Sequence, residues 1–187
     1  MVIGITGKYC SGKSIACKVF GEHGYRIIDV DRLGHEALEI KKDEVIRAFG
    51  KEIIGGDNID RKKLGKIVFK DLEARKKLEA IVHPYMIKRV RSMVGDKTVI
   101  NAALLIEMCL FVLCDFVIAV ETREEISIER GVLRDGITRE EAADRFKAQI
   151  SIKEKLQYVD KIIENNGSID EFKQRVKFLI EDLGLGS

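Results

Sequence analysis

Proline, paired cysteines and long apolar runs are what this sequence has least of. Pro84 is the only proline in 187 residues, and no stretch is rich in proline or serine. With no linker, internal repeat or low-complexity tract, a single domain is expected, with room for one mobile lobe. The four cysteines, Cys10, Cys17, Cys109 and Cys114, form no C-x-x-C pair and have no histidine at ligand spacing. Neither zinc nor a disulfide framework is suggested, and a reducing, cytoplasmic location is expected. No run approaches the 18 apolar residues of a membrane span; the richest, 102–120, is broken by Glu107 and Asp115. The opening apolar run is too short for a secretory leader and passes directly into a glycine-bearing loop, so a soluble protein is expected. Lysine plus arginine outnumber aspartate plus glutamate by only 33 to 31, so no overall field draws in nucleic acid or an acidic membrane. With 45% hydrophobic and 34% charged residues, a chain of this length buries about 70% of its unfolded surface around one core.

What is present is concentrated near the start. An apolar run, Val2 to Ile5, leads into Gly7-Lys8-Tyr9-Cys10-Ser11-Gly12-Lys13-Ser14, which has the form G-x-x-x-x-G-K-[ST]. Gly7 and Gly12 permit a tight turn whose N–H groups point inward at phosphate oxygens. Lys13 is placed to reach the β- and γ-phosphates and Ser14 to hold Mg²⁺. The helix that follows, marked by Ile15, Ala16, Val19 and Phe20, adds a positive dipole end beneath the anion. A glycine turn with a solvated lysine is the bland reading, but a strand before and a helix after favour a nucleoside triphosphate site. Residues 7–14 with Ile15 are its expected contacts.

Further along come short β-like runs at 25–28, 98–100, 116–120 and 161–164, of which 98–100 and 116–120 read as buried parallel strands. The first ends in Asp29-Val30-Asp31, carboxylates at the edge where open α/β sheets bind ligands. The region 43–93 is charged and helical in period, interrupted by a turn at Gly55-Gly56-Asp57-Asn58. Four S/T-x-x-E helix starts occur at Thr122/Glu125, Thr138/Glu141, Ser151/Glu154 and Ser168/Glu171. Ile169, Phe172, Val176, Leu179, Ile180 and Leu183 form a stripe that should lie on a sheet. Strands alternating with helices argue for a right-handed parallel α/β sandwich.

In order and spacing, several blocks resemble the dephospho-CoA kinases, P-loop enzymes that phosphorylate the ribose 3′-hydroxyl of dephospho-CoA. They are the phosphate loop, Asp29-Val30-Asp31, Asp60-Arg61-Lys62-Lys63-Leu64 with Val68-Phe69, and Leu78 to Pro84. Leu104-Leu105 with Glu107, Arg130 with Arg134-Asp135-Gly136, Arg145 with Gln149, and Asp160 leading to Asn165-Asn166-Gly167 complete them. The resemblance implies a P-loop NTPase three-layer sandwich: a five-stranded parallel sheet, helices on both faces and a helical lid. It implies one kinase domain over 1–187, an acceptor-binding region at about 32–95 and a lid at about 130–150. ATP and Mg²⁺ would be used, a small-molecule acceptor bound, and no nucleic acid or membrane engaged. Lys8, Cys10 and Ile15 stand where the family usually has glycine, glycine and threonine; Asn101-Ala102-Ala103 and Ser127 also depart from its pattern.

Phosphoryl transfer needs positioning and charge neutralisation more than covalent chemistry. Asp31 is the first choice to orient the acceptor hydroxyl and take its proton, its other reading being a helix N-cap. Asp29 is structural or near Mg²⁺. Arg130 and Arg134, four apart on one helix face, have the form of lid residues that fork onto phosphates, with Arg145 as a further candidate. His83-Pro84 reads as a turn into a helix beginning with proline, or as part of the acceptor pocket. Arg61 is the likeliest of the basic-face residues to meet a pyrophosphate, and the resemblance adds Leu104 and Glu107 to the acceptor side. Asn165 and Asn166 read as adenine-edge contacts or as a left-handed turn. Cys10, beside backbone donors and a lysine, is expected to have a lowered thiol pKa. Another nucleoside or nucleotide kinase, or a non-catalytic ATP-binding relative, stays open. The absence of N-K-x-D argues against a GTPase switch.

Overall fold

The computed structural model describes residues 1–149 and 152–185. In chain order its elements are β1 (Val2–Gly7), α1 (Lys13–Glu22), β2 (Arg26–Asp29), α2 (Val30–Ile40), α3 (Lys42–Phe49), β3 (Ile54–Gly55), β4 (Asn58–Ile59), α4 (Arg61–Val68), α5 (Leu72–Met93), β5 (Thr98–Asn101), β6 (Phe116–Glu121), α6 (Glu124–Asp135), α7 (Arg139–Lys147), α8 (Ile152–Lys155), β7 (Lys161–Glu164) and α9 (Ile169–Asp182). The expected strands are all present, and five of them form one parallel sheet in the order β2-β5-β1-β6-β7. Parallel pairing follows from the sequence pattern. β5 is buried at every position and β6 at its four central ones, as near-continuous apolar runs require when both faces of a sheet are covered.

The first of two compact units comprises Met1–Asp29 and Met93–Ser187. On one face of its sheet, Ile3 and Ile5 of β1 join Val99, Ile118, Val120 and Ile163, and α1 and α9 cover them with Val19, Phe20, Phe172, Val176 and Ile180. Each fully buried phenylalanine contributes about 1.5–3 kcal/mol. The apolar stripe expected on α9 is realised except at Ile169, which sits in the first turn and is exposed. On the opposite face Gly4 lies so close to Leu105 and Cys114 that a Cβ there would be 2.8 Å from each. Val2 N–H donates to Asp115 Oδ2 at 2.7 Å and Val117 N–H to Asp160 Oδ2 at 2.7 Å, which pins the strand starts.

Tertiary structure reassigns some of the marked helix starts. Thr138/Glu141 and Ser168/Glu171 form reciprocal capping boxes as expected. Thr122/Glu125 does not: Arg123 occupies the N-cap of α6 with no side-chain cap bond, because the buried Thr122 hydroxyl is used elsewhere. Ser151 lies outside the described residues.

The second unit, Val30–Ser92, is mostly helical. Val45, Ile53, Leu64 and Val68 form its core. Asp60 caps α4 by accepting from Lys62 and Lys63 N–H, and Gly56, with φ 63°, turns the β3–β4 hairpin. Glu36 on α2 accepts from Tyr85 and from Arg89 Nε (3.1 Å) on α5. His83-Pro84 corrects the sequence reading: proline does not begin a helix there but sits inside the 22-residue α5. Burial of Val82, Met86 and Val90 on one side of α5 outweighs the hydrogen bond that the ring removes.

Candidate functional site

The phosphate loop lies at the carboxyl end of β1, the central strand, where the chain turns into α1. Gly7 and Gly12 are required there for different reasons. A Cβ on Gly7 would sit 2.5 Å from both Ser11 Oγ and Val120 O. Gly12, at the N-cap of α1, has φ 103°, a left-handed conformation that costs an L side chain energy. Cys10 takes φ 54° without being glycine. α1 has no side-chain cap, a helix start of the kind that suits an anion, although the Ile15 N–H is already used by Gly12 O at 2.9 Å. Lys13 Nζ folds over the loop, 3.0 Å from Gly7 O and 3.3 Å from Lys8 O.

Two later segments, just after β6 and just after β7, brace the loop at Ser11. Ser11 O, in a residue 1% exposed, accepts from Asn165 Nδ2 at 2.8 Å and from Thr122 Oγ1 at 3.0 Å. Thr122 also donates to Asn165 O at 3.2 Å. Asn166 Oδ1 accepts from Arg123 N–H at 2.9 Å, at the start of α6. Neither asparagine has the positive φ of a left-handed turn, which corrects that reading: the chain leaves β7 with these amides turned onto backbone of the loop and of α6. Thr122 was missed as a site residue because its spacing to Glu125 resembles a cap; only the neighbouring strand end supplies its true acceptor.

The three candidate arginines do not converge on one point. Arg130 Nη1 and Nη2 donate to Asn165 O (3.1 Å) and Gly167 O (3.2 Å). Arg134 instead forks onto Asp135, with Nε–Oδ1 2.7 Å and Nη2–Oδ2 3.1 Å, and Arg145 Nη1 reaches the same Oδ2 at 2.8 Å. Tyr9 of the loop donates its hydroxyl to Oδ2 as well. The Arg134 guanidinium holds the Asp135 carboxyl down to about 2, with Tyr9 adding to the effect. Burial and the carboxylate push the Tyr9 phenol up to about 12.

Cys10 differs from expectation. Burial is the largest influence and raises its thiol pKa, outweighing Arg134 and Lys13 nearby; proximity to cations does not suffice when the thiolate must also be desolvated. Lys8 is shifted down, by burial first and by Lys155 among its neighbours, and its Nζ sits 4.1 Å above the Phe146 ring.

On the segment after β5, Glu107 Oε1 pairs with Lys155 Nζ at 3.1 Å. Lys155 is only 1% exposed and also donates to Ala103 O at 3.0 Å, a carbonyl shared with Thr6 Oγ1 at 3.3 Å. Leu104, half-buried, lies between these anchors. Nothing in the sequence marked Lys155, since one lysine among charged residues reads as solvated surface. Asp29 ends β2, exposed and in register with Asn101. Asp31 is the second residue of α2, inside the helix rather than at its N-cap. Asp31, Arg61 at the start of α4 and half-buried His83 in α5 stand on three elements of the second unit.

Two buried side-chain oxygens, Ser11 Oγ and Asn101 Oδ1, have no hydrogen-bond partner among the described residues. Both belong to the carboxyl edge of the sheet, and a buried polar oxygen without a partner there calls for one. Among the described residues no cluster of three or more His, Cys, Asp or Glu could hold a metal, and no helix is long and apolar enough to cross a membrane.

A dephospho-CoA kinase family model matches residues 1–171. The chain is 38% identical to a dephospho-CoA kinase of Oceanobacillus iheyensis over 192 residues, covering 97% of this chain and 96% of that one. A crystal structure from Thermus thermophilus is 32% identical with a TM-score of 0.80, covering 98% of this chain and 97% of that chain. The dephospho-CoA kinase of Campylobacter jejuni is 29% identical with a TM-score of 0.67, over 97% of this chain and 96% of its own. A glycine-turned anion cradle on the central strand of a five-stranded parallel sheet, within a match that runs nearly end to end, places this chain in the dephospho-CoA kinase family.

Proposed function

We infer that the chain transfers the γ-phosphoryl group of ATP to the ribose 3′-hydroxyl of dephospho-CoA, giving coenzyme A and ADP. The observation that carries this reading is the family match over residues 1–171, which includes the phosphate cradle of Gly7–Ser14. In the reaction the acceptor oxygen bonds to the γ-phosphorus as the bond to the β,γ-bridging oxygen breaks. The charge spread over the transferring group must be neutralised without water as a competing acceptor.

Each residue has a part in this proposal. Lys13 holds the phosphates together with those loop N–H groups not already given to Gln149, Lys8 O or Gly12 O, and the Ser11 hydroxyl donates to an oxygen among them. Ser14, exposed at the second position of α1, supplies a protein oxygen to Mg²⁺, with Asp29 near it. That ion commonly completes its shell with phosphates and water rather than a protein cage, and it would neutralise phosphate charge. Asp31 orients the 3′-hydroxyl and takes its proton late. Arg134 and Arg145 meet the phosphates when α6 and α7 act as a lid over about 130–150, and Arg130 steadies α6. The segment 32–95, with Arg61 and His83, takes the acceptor, Leu104 and Glu107 are further acceptor-binding residues, and Asn165 and Asn166 serve the nucleotide. The enzyme works in the cytoplasm.

The decisive assay is ADP release with MgATP and dephospho-CoA, with adenosine and AMP as comparison acceptors and the product identified by mass. A rate that requires dephospho-CoA and yields coenzyme A is expected, and Lys13→Ala should abolish it. Equal rates on adenosine or AMP, or ATP binding without turnover on any acceptor, would overturn the assignment.

A further inference from the structure

Tyr9 is held by more of the α6–α7 segment than any ligand contact of a phosphate loop explains. Its N–H donates to Gln149 Oε1 at 2.6 Å and its carbonyl accepts from the Ser127 hydroxyl. Its hydroxyl donates to Asp135. Its ring has the guanidinium carbons of Arg134 and Arg145 at 5.2 and 5.7 Å from its centroid, within cation–π range. The ring also fills the space above Gly131 so closely that a Cβ there would lie 2.4 Å from it. One residue of the phosphate loop thus touches both α6 and the end of the segment that follows α7.

The arginines themselves are bound to one carboxylate. Asp135 closes α6, just before Gly136 at φ 63°, and a helix end frays unless something fixes it. Its Oδ2 gathers Arg134, Arg145 and Tyr9, while Oδ1 takes Arg134 Nε. Of these donors only the Tyr9 hydroxyl belongs to the phosphate loop. The hydroxyl therefore sets where the carboxylate, and with it both guanidinium groups, stands relative to the phosphates.

We propose that Tyr9 is a positioning residue for phosphoryl transfer, its side chain fixing Asp135 so that Arg134 and Arg145 are held in place above the phosphate loop. The proposal rests on the reading that these arginines meet ATP phosphates. The Tyr9 side chain faces the α6–α7 segment and acts on the reaction only through them.

The test compares wild type with Tyr9→Phe, Gly131→Ala and Arg145→Met. Tyr9→Phe keeps the ring and removes one charge-assisted hydrogen bond, so kcat should fall about tenfold. The KM for dephospho-CoA should stay near wild type, and the melting temperature should fall by several degrees, too little to unfold the protein at the assay temperature. The Arg134 Hε resonance should exchange faster in the variant than in wild type. Gly131→Ala should lower kcat in the same way although alanine is the better helix former. Loss of activity in Arg145→Met beside an unchanged kcat and Arg134 signal in Tyr9→Phe would overturn the positioning role alone. Full activity in Arg145→Met would instead remove the reading beneath it. A kcat loss in Tyr9→Phe that only tracks lost stability would reduce the residue to packing.

Discussion

Ser11 carries the carbonyl on which the phosphate loop is most tightly braced, and its two donors make a double-mutant cycle informative. Thr122→Val removes a hydroxyl with little change of shape, and Asn165→Ala removes an amide. After either change the carbonyl keeps the other donor, at 2.8 Å from Asn165 or 3.0 Å from Thr122. Each single variant should therefore lose about 1–1.5 kcal/mol, the net worth of a protein hydrogen bond. In the double variant a carbonyl of a residue 1% exposed has neither brace, and an orphaned buried acceptor costs about 1–3 kcal/mol in addition. The double variant should thus be destabilised by about 3–6 kcal/mol, with a coupling of at least about 1 kcal/mol. Urea unfolding of the four proteins measures this, and calorimetric titration with an ATP analogue shows whether the cradle loosens in parallel. Strict additivity within about 0.5 kcal/mol, with unchanged nucleotide affinity, would refute the claim that both donors serve one buried acceptor.

Other consequences can be checked with single proteins. Lys155→Met leaves Glu107 and Ala103 O without their buried cation; because the Glu107 side chain is 22% exposed, the loss should be about 2–3 kcal/mol, below the usual cost of breaking a fully buried pair. Equal stability to wild type would show that Lys155 is hydrated. Pro84→Ala replaces an exposed proline inside α5 and allows a new N–H to bond four residues back, so the melting temperature should rise; a fall would mean that the ring itself is needed there. The Asp135 carboxyl, shifted from 3.8 to about 2, binds a proton more weakly folded than unfolded. Its contribution is thus complete above pH about 4 and lost as pH falls through about 2. Comparing acid unfolding of wild type and Asp135→Asn should show the gap closing over that window, and a constant gap would contradict the assignment.

The phosphate loop was legible because its constraints are local. Two glycines, a lysine and a serine at fixed spacing, after an apolar run and before a helical period, specify the turn and its chemistry without reference to anything distant. The central strands were legible for a related reason: β5 and β6, buried along most of their length, must be apolar there, while the edge strands β2 and β7, exposed at both ends, showed only as short β-like runs. Asp31 could be placed just beyond β2, although its helical position rather than an N-cap depended on where α2 begins. Pro84 misled because local propensity ends a helix at proline, whereas burial of Val82, Met86 and Val90 carried α5 through it.

What the sequence by itself determined is therefore the parallel α/β order, the anion cradle at its centre and the family. Only the tertiary structure decided that Thr122 braces Ser11 instead of capping α6, that Lys155 is buried against Glu107, that burial raises the Cys10 thiol, and that Arg134 and Arg145 gather around Asp135 and Tyr9 while Arg130 turns to β7. Apart from the pairing of Arg134 and Arg145 with Asp135, those outcomes depend on which groups meet across more than 30 residues of intervening chain. A polar side chain's partner is set by that meeting and by the loss of water around it, neither of which local spacing encodes.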